Sequence, residues 1–176
     1  MKQHLLSLLL SGVAGTAFAA SPAPHRIFIA GDSTAATYGA DRAPQAGWGQ
    51  KFPDWTVDGW EVRNHAVGGR STRSFIDEGR LDAIAGEIRA GDVLLIQFGH
   101  NDAKREDATR YTDPATDYPR FLQRYIEVAR THGATPVLIT PVARLLYDFR
   151  SLVDTHGRYT LAMQALAERE GVALID

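Results

Sequence analysis

Five short apolar runs punctuate the chain, at residues 26–30, 61–65, 93–98, 136–140 and 172–175. Several are continuous rather than alternating, as strands covered on both faces are. Between them, apolar residues recur at helical spacing. Leu81, Ile84 and Ile88 mark one or two helices within 71–91. Phe121, Leu122, Tyr125, Ile126 and Val128 mark 118–133, which closes on Gly133, and 157–171 closes in the same way on Gly171. A weaker pattern predicts a short helix over 48–55. Alternating strands and helices predict an α/β fold, a parallel sheet with right-handed crossovers, in one domain. No internal repeat or linker divides it.

Such a sheet binds ligands beyond the carboxyl ends of its strands. The first three runs all end in polar or glycine-rich clusters there: Gly31-Asp32-Ser33-Thr34, then Val67-Gly68-Gly69-Arg70-Ser71, then Gly99-His100-Asn101-Asp102. The small residues after Thr34 predict a helix, which would put the Ser33 amide at a helix N-terminus. A hydroxyl in that place can attack a carbonyl while its own amide holds the oxyanion. The glycine pair lets a backbone amide approach a ligand, and the Asn101 carboxamide is a further donor. Each cluster alone is equally an ordinary cap, loop or turn. Together they hold the inventory that acyl transfer needs.

Composition narrows the field. The 176 residues are 44% hydrophobic and 23% charged, with a formal charge of -2 and no cysteine. That suits one domain with a real core and excludes disulfides, thiolate catalysis and cysteine-held zinc. It offers no global attraction to nucleic acid. Lys2, a short apolar stretch and Ala17-Phe18-Ala19 have the form of a secretory signal peptide over 1–19, cut before Ala20. The mature domain would then be 20–176, secreted or periplasmic and free of the membrane once cut.

In order, GDST, NHAVGGRSTRSF and FGHND resemble the blocks of the SGNH (GDSL-type) hydrolase superfamily. The GWG at 47–49 and GGRSTRSF at 68–75 are similar to the rhamnogalacturonan acetylesterases among the carbohydrate esterases. The resemblance spans roughly residue 26 to 176. It implies a flavodoxin-like three-layer α/β/α sandwich, with Ser33 as nucleophile and no metal or other cofactor. The oxyanion hole would be the Ser33 amide, the Gly69 amide and the Asn101 side chain. Asp32, Trp48, Arg70 and His100 are candidate substrate contacts, though Trp48 reads equally well as core. The implied partner is an acetylated polysaccharide, acted on by a monomer.

The family's base lies in an Asp-x-x-His block after the fifth strand, and no histidine here matches it. His25 and His132 fall at the opposite edge, and His65 reads as local packing. His100 lies in the GHND turn, and His156 reads as a surface residue in the first turn of the last helix. The resemblance thus places the base and its carboxylate beyond residue 176, and the chain as written is expected to be a poor, marginally stable esterase. Arg70, Arg73, Lys104, Arg105 and Arg110 follow the functional edge and could attract uronates, although 103–117 reads mostly as a solvated loop of mixed charge. A glycan-binding domain without a base and an esterase of lipid or simple esters are the competing readings. A nucleotide binder is disfavoured, because no glycine-rich phosphate loop follows the first strand.

Overall fold

The computed structural model describes residues 24–176. The signal-peptide reading falls outside them. A parallel sheet takes its strands from β1 (His25–Gly31), β2 (Trp60–Asn64), β3 (Val93–Gln97), β4 (Thr135–Ile139) and β7 (Ala173–Ile175). Their order is β2-β1-β3-β4-β7. All five runs read from the sequence are strands, each within about a residue of its expected bounds. Two short strands missed by that reading, β5 (Tyr147–Asp148) and β6 (Ser151–Leu152), form an exposed hairpin.

The two faces of the sheet are covered differently. One carries α2 (Thr72–Asp77), α3 (Arg80–Ala85), α4 (Asp117–Thr131) and α5 (Gly157–Glu170). Phe28, Leu94, Ile96, Phe75, Leu122, Tyr125, Ile126 and Met163 are fully buried there. The stretch 71–91, read as one or two helices, is two, because Gly79 turns left-handed between them (φ 72°). The other face carries Ile29 and Leu95 under α1 (Trp48–Lys51) and a 3₁₀ turn, Phe52–Trp55. Pro53, at the start of that turn, lacks an amide to continue the α-helical ladder.

The helix expected after Ser33 is absent. Residues 32–35 make one turn, closed by the Ala35 amide on the Asp32 carbonyl at 3.2 Å. The Thr34 and Ala36 carbonyls accept instead from the amides of Trp48 (2.9 Å) and Gly47 (3.2 Å). This explains the GWG run. A Cβ on Gly47 would stand 2.3 Å from the Ala36 carbonyl oxygen, and one on Gly49 2.5 Å from that of Ala35. Only a chain without side chains at these two points can take the carbonyls that a helix would use.

Candidate active site

The three clusters do meet at one rim. Gly68 lies against Ser33: a Cβ on the glycine would be 3.6 Å from the serine Cβ. Gly69 is left-handed (φ 82°), which turns its amide away from the course of the preceding chain. Neither the Ser33 nor the Gly69 amide has a hydrogen-bond partner among the described residues. The Asn101 Nδ2 donates to the Arg70 carbonyl at 3.0 Å, which ties the third cluster to the second. An amide nitrogen carries two hydrogens, so one donor remains. Ser33 is half-buried, and its carbonyl accepts from the Tyr38 hydroxyl at 2.8 Å. Because no helix follows Ser33, no helix dipole assists its amide.

Asp102, which the sequence reading passed over, fastens this arrangement. Its fully buried carboxylate accepts from the Thr72 amide (3.1 Å), the Thr72 hydroxyl (2.5 Å) and the Thr112 hydroxyl (2.8 Å). Burial raises its pKa to about 6, against the pull of those donors. Three buried tyrosines from the helical layer hold the loop carbonyls. Tyr118 donates to Phe98 and Tyr125 to Thr72, and the one hydrogen of Tyr159 is shared between Asp102 and Thr112, all at 2.8–2.9 Å. The acid after the asparagine in GHND was the signal available in the sequence. Its role depends on Thr112, ten residues on, which no motif marks.

Among the substrate-contact candidates, Asp32 needs correction. It is 1% exposed, and its Oδ1 accepts from the Thr34 amide at 2.9 Å. It therefore shapes the serine turn and does not face solvent. Burial raises its pKa. Trp48 packs edge-on against Phe52, and its indole nitrogen donates to the Gln97 Oε1 at 2.6 Å. It lies on the thinly covered sheet face, in an apolar cleft with Leu95, Ile139, Val142 and Ile175, so its contacts are those of packing. Arg70 is at the rim, bound to Glu78 at 3.0 Å and to the Gly68 carbonyl at 2.9 Å.

His100 points its Nδ1 towards the Asp32 Oδ2 at 3.9 Å, and its ring meets that of His156 at 4.4 Å, edge to face. His156 is thus no surface residue. It is 3% exposed, with Nδ1 3.0 Å from the Thr155 hydroxyl. The His100 Nδ1 and the His156 Nε2 are buried without a hydrogen-bond partner. His156 also lines a cleft of about 510 Å³ with Thr140, Pro141 and Asp176. Burial lowers both imidazoles to a pKa of about 4. Arg144 and Lys104 add to the effect on His100, and His100 and Arg144 to that on His156. Both rings are neutral at pH 7. Among the described residues no three His, Asp or Glu side chains are grouped to hold a metal ion.

The sequence matches the family described as "GDSL-like Lipase/Acylhydrolase family" over residues 29–176. It is 45% identical over 152 residues to a Bacillus subtilis protein named probable rhamnogalacturonan acetylesterase YesY, covering 86% of this chain and 70% of that one. It is 47% identical to the rhamnogalacturonan acetylesterase RhgT of the same organism, covering 87% and 65%. The chain thus spans about two thirds of the length of these relatives. Among solved structures, Bacillus subtilis YXIM superposes with a TM-score of 0.73 at 30% identity, covering 87% of this chain and 43% of that one. A catalytic mutant of the Geobacillus stearothermophilus acetylxylan esterase Axe2 superposes with a TM-score of 0.66 at 17% identity, covering 86% and 75%. At that identity the likeness speaks for the fold.

Proposed function

The chain belongs to the GDSL-like lipase/acylhydrolase family, and on that premise we propose that it serves a secreted carbohydrate O-acetylesterase acting on rhamnogalacturonan-type polysaccharide. The observation that carries the proposal is the convergence of Ser33, Gly68-Gly69 and Asn101 at one rim, with two amides and one carboxamide hydrogen unused. Relatives bearing the name rhamnogalacturonan acetylesterase support the substrate class.

In this reading the Ser33 Oγ attacks the acetyl carbonyl as a base takes its proton. The tetrahedral oxyanion is held by the Ser33 amide, the Gly69 amide and the Asn101 Nδ2. Collapse expels the sugar hydroxyl, which takes up the proton. Water then cleaves the acetyl-serine and acetate leaves. The base is a histidine with its carboxylate, read from the family pattern as lying beyond residue 176. Acetate release from acetylated rhamnogalacturonan by the full-length protein tests the scheme. Ser33→Ala should lower kcat by about 10⁴ or more, and Asn101→Ala by about 10²–10³. Undiminished release by Ser33→Ala overturns it. Export is checked by sequencing the N-terminus of the extracellular protein, which should begin at Ala20.

One observation favours a second reading, in which the base is internal. His156 is neutral, buried beside His100, and has an unpartnered Nε2. On this reading residues 1–176 alone hydrolyse p-nitrophenyl acetate, and either Ser33→Ala or His156→Gln abolishes the turnover. No turnover by residues 1–176 rejects it.

A further inference from the structure

Beside Gly69 the chain builds a polar cleft of about 530 Å³, walled by Arg70, Arg73 and Arg110 and by the acids Asp77 and Glu78. The arginines reach it from different places. Arg70 follows the glycine pair, Arg73 sits in the first turn of α2, and Arg110 comes from the 103–112 loop. That loop folds back because the Thr112 amide returns to the Asp102 carbonyl at 3.1 Å. Arg73 fastens it by donating to the Ala108 carbonyl at 2.9 Å. The loop is therefore a wall of the cleft, not the free solvated stretch its mixed charge suggests.

The three guanidinium groups are unequally committed. Arg70 is held by Glu78 and the Gly68 carbonyl, and Arg73 by the Ala108 carbonyl with Asp117 at 3.6 Å. Glu78 is shared with Arg80 at 2.6 Å, so its charge is compensated twice. Arg110 stands beside Asp107 as an ion pair, Nε to Oδ2 at 2.9 Å, and none of its side-chain N–H groups makes a hydrogen bond among the described residues. The Nη1 stands 3.7 Å from where a Cβ on Gly69 would be. A guanidinium whose N–H groups make no hydrogen bond within the protein has its fork free to take a carboxylate in a bidentate pair. The charge is therefore aimed at a ligand lying across Gly69.

We propose that Arg110, backed by Arg70 and Arg73, is the carboxylate-binding residue of a uronate subsite beside the candidate oxyanion hole. It takes a galacturonate carboxylate of the acetylated chain. The choice of ligand rests on the acetylesterase reading, while the place of the subsite rests on the cleft. Neutral acetylated glycans lack the group that Arg110 binds, so the subsite selects for acidic polymers.

Calorimetric titration of the full-length protein with unacetylated tri-galacturonate, and with its methyl ester, tests the proposal. Arg110→Gln should weaken binding of the acid about tenfold, the size of one charged hydrogen-bonded contact. It should change binding of the uncharged ester much less. Arg110→Lys, which keeps the charge but not the fork, should fall between. Arg169→Gln removes the same charge from the far helix α5 and should leave the acid's affinity alone. Undetectable binding of the acid, equal loss for acid and ester, or an equal effect of Arg169→Gln overturns the subsite. Acetate release that persists in Ser33→Ala overturns the esterase reading instead, and leaves the titration to decide the subsite by itself.

Discussion

On one side of Ser33 the 66–72 and 98–112 loops close on Asp102, whose buried carboxylate is met by an amide and two hydroxyls while Tyr118, Tyr125 and Tyr159 take the carbonyls around it. On the other side the chain from Pro141 to His156 is mostly exposed. Leu145 and Phe149 stand 86% and 100% exposed, and the His156 Nε2 is buried without a partner, as is the Nδ1 of His100, whose ring it meets from across the rim. Both sides border the same rim. The difference teaches that the donors proposed for the oxyanion belong to the side braced by Asp102 and the three tyrosines, where these buried polar groups have partners and movement would be costly. The histidine side has few such constraints, as segments that move or receive a ligand do.

The comparison can be broken most forcefully at Asp102. Asp102→Ala leaves the Thr72 amide and two hydroxyls without an acceptor and should cost about 3 kcal/mol or more, read as a lowered urea midpoint. A loss below 1 kcal/mol would show that the two sides are equally loose. Tyr125→Phe removes one hydroxyl from the Thr72 carbonyl and should cost about 1 kcal/mol by the same measurement.

Acidification should affect the histidine side. The folded pKa of His100 and His156 is about 4, below the ordinary 6.5, so the unfolded chain binds these protons more readily. The stability they contribute is present above pH 6.5 and is lost as pH falls towards 4. Asp102, raised to about 6, acts in the opposite sense: its contribution is full at low pH and is lost as pH rises through 6. Asp32 is also raised by burial and acts in the same sense as Asp102, so the two aspartates offset part of the fall in thermal stability that the two histidines impose from pH 6.5 to 4. His156→Gln should flatten that fall, and an unchanged slope would refute the assignment. The smallest effect is expected at Phe149, fully exposed with φ 52° in the hairpin. Phe149→Gly relieves a left-handed conformation and should raise stability by up to about 1 kcal/mol, read as a small rise in Tm.

What could be read in advance divides along the same line. Continuous apolar runs such as Val93–Gln97 mark strands by composition alone, and the three clusters fall on one edge because every strand runs the same way. Local pattern failed where a distant segment competes for the backbone. After Ser33 the residues suit a helix, but Gly47 and Trp48 take the Ala36 and Thr34 carbonyls first. His156 has the sequence context of a surface turn, yet it is an interior residue whose ring meets that of His100, brought over by the end of β3. Arg110 is one cation among many in its loop until the Asp102–Thr112 closure sets it over Gly69.

Gln97 lies where β3 reaches the rim. Its Oε1 accepts from the Trp48 indole at 2.6 Å and stands 3.0 Å from the Thr34 hydroxyl, while its Nε2 donates to the Thr140 carbonyl at 3.0 Å. Rotating this carboxamide by half a turn would set hydrogen against hydrogen at the indole and oxygen against oxygen at Thr140. Glutamate could serve the first pair of neighbours but not the last, and lysine the reverse. One polarised group thus fixes how far the exit of the fourth strand stands from the serine turn. A displacement on either side must either carry the other along or break that connection.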